Sequence, residues 1–473
     1  MMRKMFRIAF LQCQMVKELP HMNMPLFVED ILKLGCSFEC ICASRAKLED
    51  LIEDLKPKRF DLIALDYTFP ILFIKELKAI FPKASFVTGG NGFLDTFLKS
   101  KIDFAVIGAG RQSFLELVKA LKSKRDLSKI PNLFFKTGIN NKTVIDYSGI
   151  NQQFDLRREL FPYQPFLKWR YVGFTRRDEI VDPPPIVAEF GCSYRLRKLN
   201  PQYDHLRLAL PRRYTFSRKA KKRIRELFEE RMGGCSFCTC PGKNVFLPVK
   251  ETVDCLIEQA SFLQKNYGFK SFVIGSENPF RFLKPLISRL IQENVKLKML
   301  AIRSRVDWVN QNENLLIDVL KAAKKHDFKI SLQQLGFESL LQSDLDVYNK
   351  GYKIEQNHKV VELIRKLKGI YPRNFQDGGH GFIGINPWIT SDELKKYAES
   401  AVNMQELFDS FDFGNGLILY DSCLPIYQKL KKEGLLVEHK SDLDSWRFKD
   451  KNIVRFINDF HNKLGDRNRG TQY

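Results

Sequence analysis

The sequence predicts an α/β protein in which two sheets of mainly parallel strands follow one another along the chain. Three observations predict this class: short apolar runs alternate with helical patterns, the alternation occurs twice, and a proline-dotted aperiodic stretch separates the two series. The 473 residues are too many for one compact domain. With 44% apolar and 28% charged residues, the composition is typical of a globular protein with a substantial core.

The first series consists of five apolar runs joined by helical patterns, which is typical of a parallel sheet covered on both faces. We therefore expect a flavodoxin-like, doubly wound domain over residues 1–130. Its expected strands are 6–11, 38–43, 60–65, 85–89 and 104–107, and its expected helices are 26–34, 48–55, 71–80, 94–100 and 113–121. A ligand of such a domain binds beyond the carboxyl ends of the strands, where Gly89, Gly90 and Gly108 would allow close approach to the backbone.

Residues 131–184 are expected to form a hairpin, over 132–147, and an interdomain linker, over 162–185. Six further strand–helix units predict a partial (β/α)6 barrel of the TIM type over residues 185–436, with its chemistry at the carboxyl ends of the strands. The expected strands are 186–190, 271–275, 297–302, 329–335, 381–385 and 417–420, and the expected helices are 249–265, 282–292, 313–324, 356–367, 391–404 and 425–433. A small helical extension is expected at 437–473, with one helix near 452–464.

The charge and the cysteine count limit the compartment and the partners. No stretch of about 18 apolar residues is present and the start lacks a cleavage site, so we expect a cytoplasmic protein without a membrane segment. Ten cysteines in a reducing compartment hold metal more often than they form disulfides. The net charge of +22 is compatible with nucleic acid, but no RNA-binding motif accompanies it, and biased composition is the favoured explanation.

The strongest local signal is the run Cys235-Ser236-Phe237-Cys238, which follows two glycines. Two thiolates at this spacing can hold a metal ion or one edge of an iron–sulfur cluster. Cys192, directly after the first strand of the second series, is a candidate third ligand. A structural zinc site usually needs a second cysteine pair or histidines at finger spacing, and neither is present. Three cysteines would leave one iron of a [4Fe–4S] cluster without a protein ligand, so the cluster is favoured over zinc.

This cysteine set resembles the cluster loop of radical S-adenosylmethionine (SAM) enzymes, and the first series resembles the cobalamin-binding domain fused to many of them. The resemblance implies that Cys192, Cys235 and Cys238 hold the cluster and that Phe237 packs beside the SAM adenine. The chain departs from the family in placing 42 residues between the first two cysteines, where three are usual, and Cys240 is the substitute ligand.

Further segments resemble SAM- and cobalamin-binding parts of the same family. After the second strand, Gly275, Ser276 and Glu277 stand where the family binds the SAM amino group, and Arg303 stands where polar groups meet the ribose or carboxylate. Glu338 lies in a segment similar to one that recurs in cobalamin-type members. The resemblance also implies that Gly89, Gly90 and Gly108 contact cobalamin. Ala109 and Arg111 replace the acids usual in this turn, and the histidine motif for axial ligation is absent.

The implied function is reductive cleavage of SAM at a [4Fe–4S] cluster, with formation of a 5′-deoxyadenosyl radical that attacks an unidentified substrate. An external one-electron reductant would be required, and bound cobalamin would allow methylation or rearrangement; no catalytic residue is identified. One alternative is a methylthiotransferase-like, RNA-modifying enzyme, which would normally have a second cysteine cluster; the available cysteines are Cys13, Cys36, Cys40 and Cys42. The other is a non-catalytic, zinc-stabilised RNA-binding protein.

The insertion between the cysteines, residues 195–231, is strongly basic. It is either a lid or docking surface for an acidic partner, or a solvated excursion whose helix, near 220–232, is simply exposed. The sequence leaves both open.

Overall fold

Two sheets organise the chain in the computed structural model. The structure describes residues 5–14, 23–66, 69–90, 93–108, 110–139, 142–152, 155–160, 163, 168–174, 183–210, 214–240, 245–404, 411–419, 421–439, 444–450 and 452–454. Within these residues, nine strands form the first sheet and five form the second. Both sheets contain a run of parallel strands, so the predicted α/β class is confirmed.

The first half of the chain alternates strands and helices as expected. Its strands are β1 (Phe6–Gln14), β2 (Cys36–Ser44), β3 (Leu62–Asp66), β4 (Ser85–Gly89), β5 (Phe104–Val106), β6 (Leu133–Ile139), β7 (Lys142–Tyr147) and β8 (Arg170–Val172). Its helices are α1 (Asn23–Lys33), α2 (Leu48–Leu55), α3 (Ile71–Ile80), α4 (Phe93–Lys99), α5 (Gly110–Ser123) and α6 (Leu156–Leu160). Strands β1 to β5 are parallel in the order β5-β4-β3-β1-β2, which is the predicted doubly wound arrangement.

Both faces of this sheet are buried, because successive side chains of a strand point to opposite sides. On β3, Ile63 and Leu65 belong to one apolar core, whereas Leu62 and Ala64 belong to the core on the other face. The apolar runs of the sequence therefore mark strands covered by helices on both sides.

The expected hairpin and linker are partly different in the structure. Strands β6 and β7 form the antiparallel hairpin, although its turn at 140–141 lies outside the described residues. Within the expected linker, Arg170–Val172 forms β8, which pairs in parallel with β2 at the sheet edge. Arg170 is fixed there by ion pairs with Asp54 and with Glu39, the latter at 3.2 Å.

The second half supplies the second sheet and the segments around it. Its strands are β9 (Pro185–Ile186), β10 (Glu189–Phe190), β11 (Thr215–Phe216), β12 (Val245–Phe246), β13 (Ser271–Ile274), β14 (Met299–Ile302), β15 (Lys329–Gln333), β16 (Phe375–Gly378), β17 (His380–Ile385), β18 (Phe411–Gly416), β19 (Leu436–Val437) and β20 (Ser445–Trp446). Its helices are α7 (Arg218–Arg231), α8 (Val249–Tyr267), α9 (Leu283–Gln292), α10 (Val306–Gln311), α11 (Glu313–Lys325), α12 (Gln342–Val347), α13 (Glu355–Ile370), α14 (Ser391–Met404) and α15 (Pro425–Lys432).

The second sheet is parallel, in the order β16-β15-β14-β13-β9, and it corresponds to a partial barrel. Strand β16 was not predicted, because its polar residues hide the apolar pattern. The predicted strand at 381–385 exists as β17, but it pairs with β18 outside the five-stranded sheet. The strand predicted at 417–420 is wrong for 417–419, since β18 ends at Gly416; residue 420 lies outside the described residues.

The basic insertion belongs structurally to the first sheet. Strand β11 pairs in parallel with β7, placing Phe216 opposite Ile145. The Ser217 hydroxyl accepts a hydrogen bond from the Ala220 backbone N–H at 3.1 Å and caps α7. The apolar face of α7 contains Ile224 and Leu227, which lie in the same core as Ile145. The expected helix is therefore exposed on its basic face and buried on the other.

The C-terminal region is described only in part. Strands β19 and β20 form a small antiparallel pair, and the helix expected near 452–464 lies mostly outside the described residues. None of the helices in the described part of the chain has the length and apolar character that crossing a bilayer requires.

Candidate functional site

The candidate site lies at the carboxyl edge of the second sheet, where parallel strands deliver their following residues to one place. Polar residues follow β13 and β14 directly: Ser276, Glu277 and Asn278 in the first case, and Arg303 and Ser304 in the second. The loop after β10 brings Cys192 to the same edge, and the loop after α7 brings Cys235 and Cys238.

The structure brings the three predicted cysteine ligands together. Cys192 interacts electrostatically with both Cys235 and Cys238, although 42 residues separate it from the first of them. A tight turn, with the Cys238 N–H donating to the Cys235 carbonyl at 3.3 Å, holds the second pair. All three thiols are half-buried. The long insertion therefore does not separate the cysteines in space, because it packs against the first sheet and returns.

Within the described residues, no group of three or more histidine, cysteine, aspartate or glutamate side chains is arranged to hold a single metal ion. The cysteines of an iron–sulfur cluster bind different irons, so they need not converge as closely as the ligands of one zinc ion. The donor set is three thiols, which suits such a cluster.

Arg195 organises the cysteine loop and was not recognised in the sequence. It is buried, and its guanidinium donates hydrogen bonds to five backbone carbonyls. The acceptors are Cys240 (3.0 Å), Arg231 (3.1 Å), Gly233 (2.5 Å), Cys235 (3.4 Å) and Cys238. One side chain therefore fixes the path of the whole loop, but in the sequence it is one of many basic residues of the insertion.

The sulfurs of two of the candidate ligands accept hydrogen bonds from the protein. The Cys240 backbone N–H donates to Cys238 Sγ at 3.3 Å, and Arg305 Nη1 donates to Cys235 Sγ at 3.4 Å. The hydrogen bond from the Cys240 thiol lowers the pKa of Cys238 to about 6, whereas burial raises the pKa of Cys192 to about 12. A coordinated iron would itself deprotonate a thiol, so the raised value does not exclude ligation.

Beside the cysteines lies a pair of opposite charges, Glu277 and Arg303. Burial raises the pKa of Glu277, and Arg303 is the cation that opposes this effect most strongly. Three buried polar atoms at this edge have no hydrogen-bond partner within the described residues: Asn278 Oδ1, Arg303 Nε and Ser304 Oγ. Buried polar groups normally have partners, so these three atoms could bind a polar ligand at this edge.

The other residues assigned to SAM have defined contacts. A Cβ on Gly275 would lie 2.5 Å from Val187 Cγ2, so glycine is needed for the approach of β9. The Ser276 hydroxyl donates to the Glu189 carboxylate at 2.8 Å and is thus already engaged. Phe237 packs edge-on against Tyr348, with ring centroids 5.3 Å apart.

Glu338 is held by an ion pair. The Glu338 carboxylate lies 3.0 Å from the ammonium of Lys350, and Lys350 is buried. The Glu338 backbone has a positive φ of 61°. Burial acts to lower the pKa of Lys350, but Glu338, Cys235 and Tyr352 together outweigh this effect and raise it. Lys350 therefore remains charged, and the ion pair of Lys350 and Glu338 lies near Cys235.

The carboxyl edge of the first sheet is rich in glycine. Gly90 and Gly108 have φ values of 103° and 66°, and no atom of the described residues lies within 4 Å of a Cβ placed on Gly108. A Cβ on Gly89 would lie 3.1 Å from the Val106 carbonyl oxygen. Thr88 Oγ1 is buried without a hydrogen-bond partner within the described residues. The backbone at Gly108 is thus open, whereas Gly89 is needed for the close approach of β5, and this edge could hold a large ligand such as cobalamin.

Arg111, which replaces an acid of the family turn, has a structural role. It is buried and pairs with Asp30 at 2.6 Å, and Nη1 donates to the Glu159 carbonyl at 3.2 Å. It thus ties α1 and α6 to α5. Ala109 lies outside the described residues.

The cysteines of the first sheet do not converge. Cys13 lies in the core on one face, whereas Cys36, Cys40 and Cys42 lie in the core on the other. In the part of the chain that the structure describes, these four cysteines do not form a group arranged to hold a metal ion.

No protein-family model matches the chain, and no curated protein matches it. Two solved structures of the radical S-adenosylmethionine methyltransferase TsrM from Kitasatospora setae share its fold. One, with cobalamin and a [4Fe-4S] cluster bound, has a TM-score of 0.56 at 16% identity and covers 91% of this chain and 78% of that chain. The other, with tryptophan substrate and the SAM analogue aza-SAM bound, has a TM-score of 0.52 at 16% identity, covering 90% and 76%. Over about nine tenths of its length, the chain has the fold of TsrM, a radical S-adenosylmethionine methyltransferase.

Proposed function

We propose that the chain is a radical SAM enzyme that holds a [4Fe–4S] cluster through Cys192, Cys235 and Cys238, cleaves SAM reductively and modifies an unidentified substrate. The observation that carries this proposal is the convergence of three thiols, two of them far from the third in sequence, at the carboxyl edge of a parallel sheet. The fold shared with TsrM supports it.

The chain's own residues would bind and orient SAM at this edge. Glu277 suits the ammonium of the methionyl group, since a carboxylate is the natural partner of a charged amine. Arg303 suits the carboxylate, and its buried, unpartnered Nε supports this role. Phe237, half-buried beside the cysteines, would pack against the adenine.

We further propose that the first sheet binds cobalamin at Gly89, Gly90 and Gly108. The support is the open glycine edge and the unpaired Thr88 hydroxyl. When bound, the reduced cluster would supply one electron from an external donor to the SAM sulfonium, and cobalamin would supply a methyl group. Methylation is then the favoured outcome, with rearrangement as the alternative.

Anaerobic reconstitution with quantification of iron, sulfide, cobalt and zinc tests the proposal. We expect roughly four iron and four sulfide per chain and a brown chromophore. Reduction in the presence of SAM should release 5′-deoxyadenosine. Colourless protein with stoichiometric zinc would contradict the proposal and favour a zinc-stabilised binding protein.

Single cysteine substitutions test the ligand assignment. Cys192→Ala, Cys235→Ala and Cys238→Ala should each reduce the iron content and abolish SAM cleavage, because each removes a ligand. Cys36→Ala, in the core of the first sheet, is the matched control and should retain both. Cys240→Ala should also retain the cluster; loss of iron in this variant, with iron kept in Cys192→Ala, would assign the third ligand to Cys240 instead.

A further inference from the structure

Arg305 is a buried cation that directly contacts one of the proposed cluster ligands. It is 5% exposed, and its Nη1 lies 3.4 Å from Cys235 Sγ. We propose that this hydrogen bond makes Arg305 a positioning residue that raises the reduction potential of the cluster. The inference rests on the proposed function, because it requires Cys235 to ligate iron.

The guanidinium is held rigidly from several sides. Nε and Nη2 donate to the two carboxylate oxygens of Asp307 at 2.9 and 3.2 Å, and Nη2 also donates to the Lys350 carbonyl at 2.6 Å. Its face lies 3.6 Å from the ring centroid of Tyr194. The Tyr194 hydroxyl in turn donates to the Asn349 carbonyl at 2.7 Å. With one face against Tyr194 and with Nε and Nη2 engaged, Nη1 remains directed at the sulfur.

The hydrogen bond, rather than the charge, distinguishes Arg305 from its neighbours. Lys350 is also a cation near Cys235, but its charge is compensated by Glu338 as that of Arg305 is by Asp307. Both cations nevertheless act to lower the pKa of Cys235, Lys350 more strongly than Arg305, so charge alone does not single out Arg305. Only a donor that touches the sulfur withdraws electron density from the ligand.

A hydrogen bond to a ligand sulfur favours the reduced cluster. One-electron reduction adds a negative charge, which spreads onto the sulfurs, and a donor at the sulfur stabilises that charge. The effect is strong where water is excluded, because the local dielectric constant is low. Cys238 accepts a comparable bond from the Cys240 backbone N–H, which substitution does not remove. For Cys235, the contact that a single substitution can test is that of Arg305.

The experiment is a reductive titration of the reconstituted cluster without SAM, followed by electron paramagnetic resonance and visible absorption, using a low-potential one-electron donor. Arg305→Gln should carry the wild-type iron content and titrate at a more negative potential. Arg305→Lys should lie between, since lysine keeps the charge but lacks the fork that reaches Asp307 and Cys235 together. The matched control is Arg197→Gln. Arg197 is exposed and lies 5.4 Å from the Tyr194 ring, so its variant should titrate like the wild type.

The outcomes separate this inference from the proposed function. A fully loaded Arg305→Gln variant with the wild-type potential would overturn the inference and leave the cluster assignment intact. If Arg305→Gln loses iron, the Arg305→Lys variant tests the inference instead. An unchanged reduction potential in Arg305→Lys would overturn the inference. Wild-type protein that binds no iron would overturn the proposed function itself.

Discussion

At the scale of single residues, two glycines allow the cysteine loop to lie against the backbone of Arg195. A Cβ on Gly233 would lie 2.3 Å from the Arg195 carbonyl oxygen. Gly234 has a positive φ of 67°, and a Cβ there would lie 2.9 Å from the Arg195 Cα. Backbone atoms cannot move aside as the end of a side chain can. The carbonyls that Arg195 binds are within its reach only because these positions lack side chains.

Gly233→Ala should therefore weaken both the fold and the metal site. We expect a loss of roughly 1–3 kcal/mol in the free energy of unfolding, because an added methyl group is forced against fixed atoms, together with reduced iron content after reconstitution. Urea unfolding and iron analysis measure the two effects.

The matched control for this substitution is Gly369→Ala. Gly369 lies in α13 with no atom within 4 Å of an added Cβ. Alanine there should be neutral or stabilise by up to about 1 kcal/mol, because it is the better helix former. A Gly233→Ala variant as stable and as iron-rich as the wild type would show that the close approach is not needed.

The candidate ligands were accessible from the sequence, but their supports were not. Cys235 and Cys238 stand out by spacing, and Cys192 by its position after a strand. Arg195 and Arg305 could not be singled out, because burial and hydrogen bonding distinguish them from other arginines and neither property is visible in the chain.

At the scale of elements, α7 shows how an amphipathic helix specifies a buried face but not its partner. Arg218, Lys221, Lys222 and Arg225 lie exposed on one side of the helix. Ile224 and Leu227, on the other side, are buried in the core of the first sheet. The spacing of apolar residues predicts such a face. It does not predict which of the two sheets the face contacts.

Ile224→Ala should destabilise the protein by about 2–5 kcal/mol, since it leaves a cavity at a fully buried position. Lys221→Ala, one turn earlier on the exposed face, should change stability by no more than about 0.5 kcal/mol. Denaturant unfolding of both variants provides the comparison. Equal effects would mean that α7 is not anchored in this core.

Strand prediction succeeded where the side chains were apolar and failed where they were polar. Strands β3 and β4 are buried apolar runs, and their positions were close to those expected. Strand β16 contains Gln376 and Asp377, and it is held by pairing with β15 rather than by its own apolar pattern. Whether such a segment forms a strand depends on the neighbouring strands with which it pairs, and the sequence of the segment alone does not reveal this.

At the scale of the whole molecule, buried charges join three distant segments. Arg231, at the end of α7, pairs with Asp421, and Lys99 of α4 lies 2.6 Å from Asp444. Asp95 of α4 is buried beside them. Burial, reinforced by the Asp421 carboxylate, raises the pKa of Asp95 to about 7. These buried ion pairs thus hold the first sheet and the C-terminal region together, and the protonation state of Asp95 changes the charge beside them.

Asp95 should make stability fall as the pH rises. In the unfolded chain its pKa is about 3.9, so between about pH 4 and 7 the folded state binds more protons than the unfolded state. Folded protein is then progressively destabilised relative to unfolded protein as the pH increases through this range. Asp95→Asn should remove this slope. Between pH 5.5 and pH 8 the removed part is about 2 kcal/mol, since one pKa unit corresponds to about 1.4 kcal/mol and the folded-state pKa of about 7 lies roughly 1.5 units above pH 5.5.

Thermal unfolding at pH 5.5 and pH 8 measures the difference. Asp204→Asn, at an exposed aspartate, is the control and should keep the wild-type slope. An unchanged slope in Asp95→Asn would assign the pH dependence to other groups.

The placement of β11 and α7 in the first sheet has a consequence for biosynthesis. A nascent chain emerges from the ribosome in sequence order, and its early domains fold first. Here the amino-terminal half still lacks an edge strand and a covering helix when residue 184 has been made, and it is completed only by residues 215–231. Docking of that segment draws the polypeptide back to the first sheet, and the loop that carries Cys235 follows it directly. Assembly of the proposed cluster site would thus follow completion of the domain that precedes it.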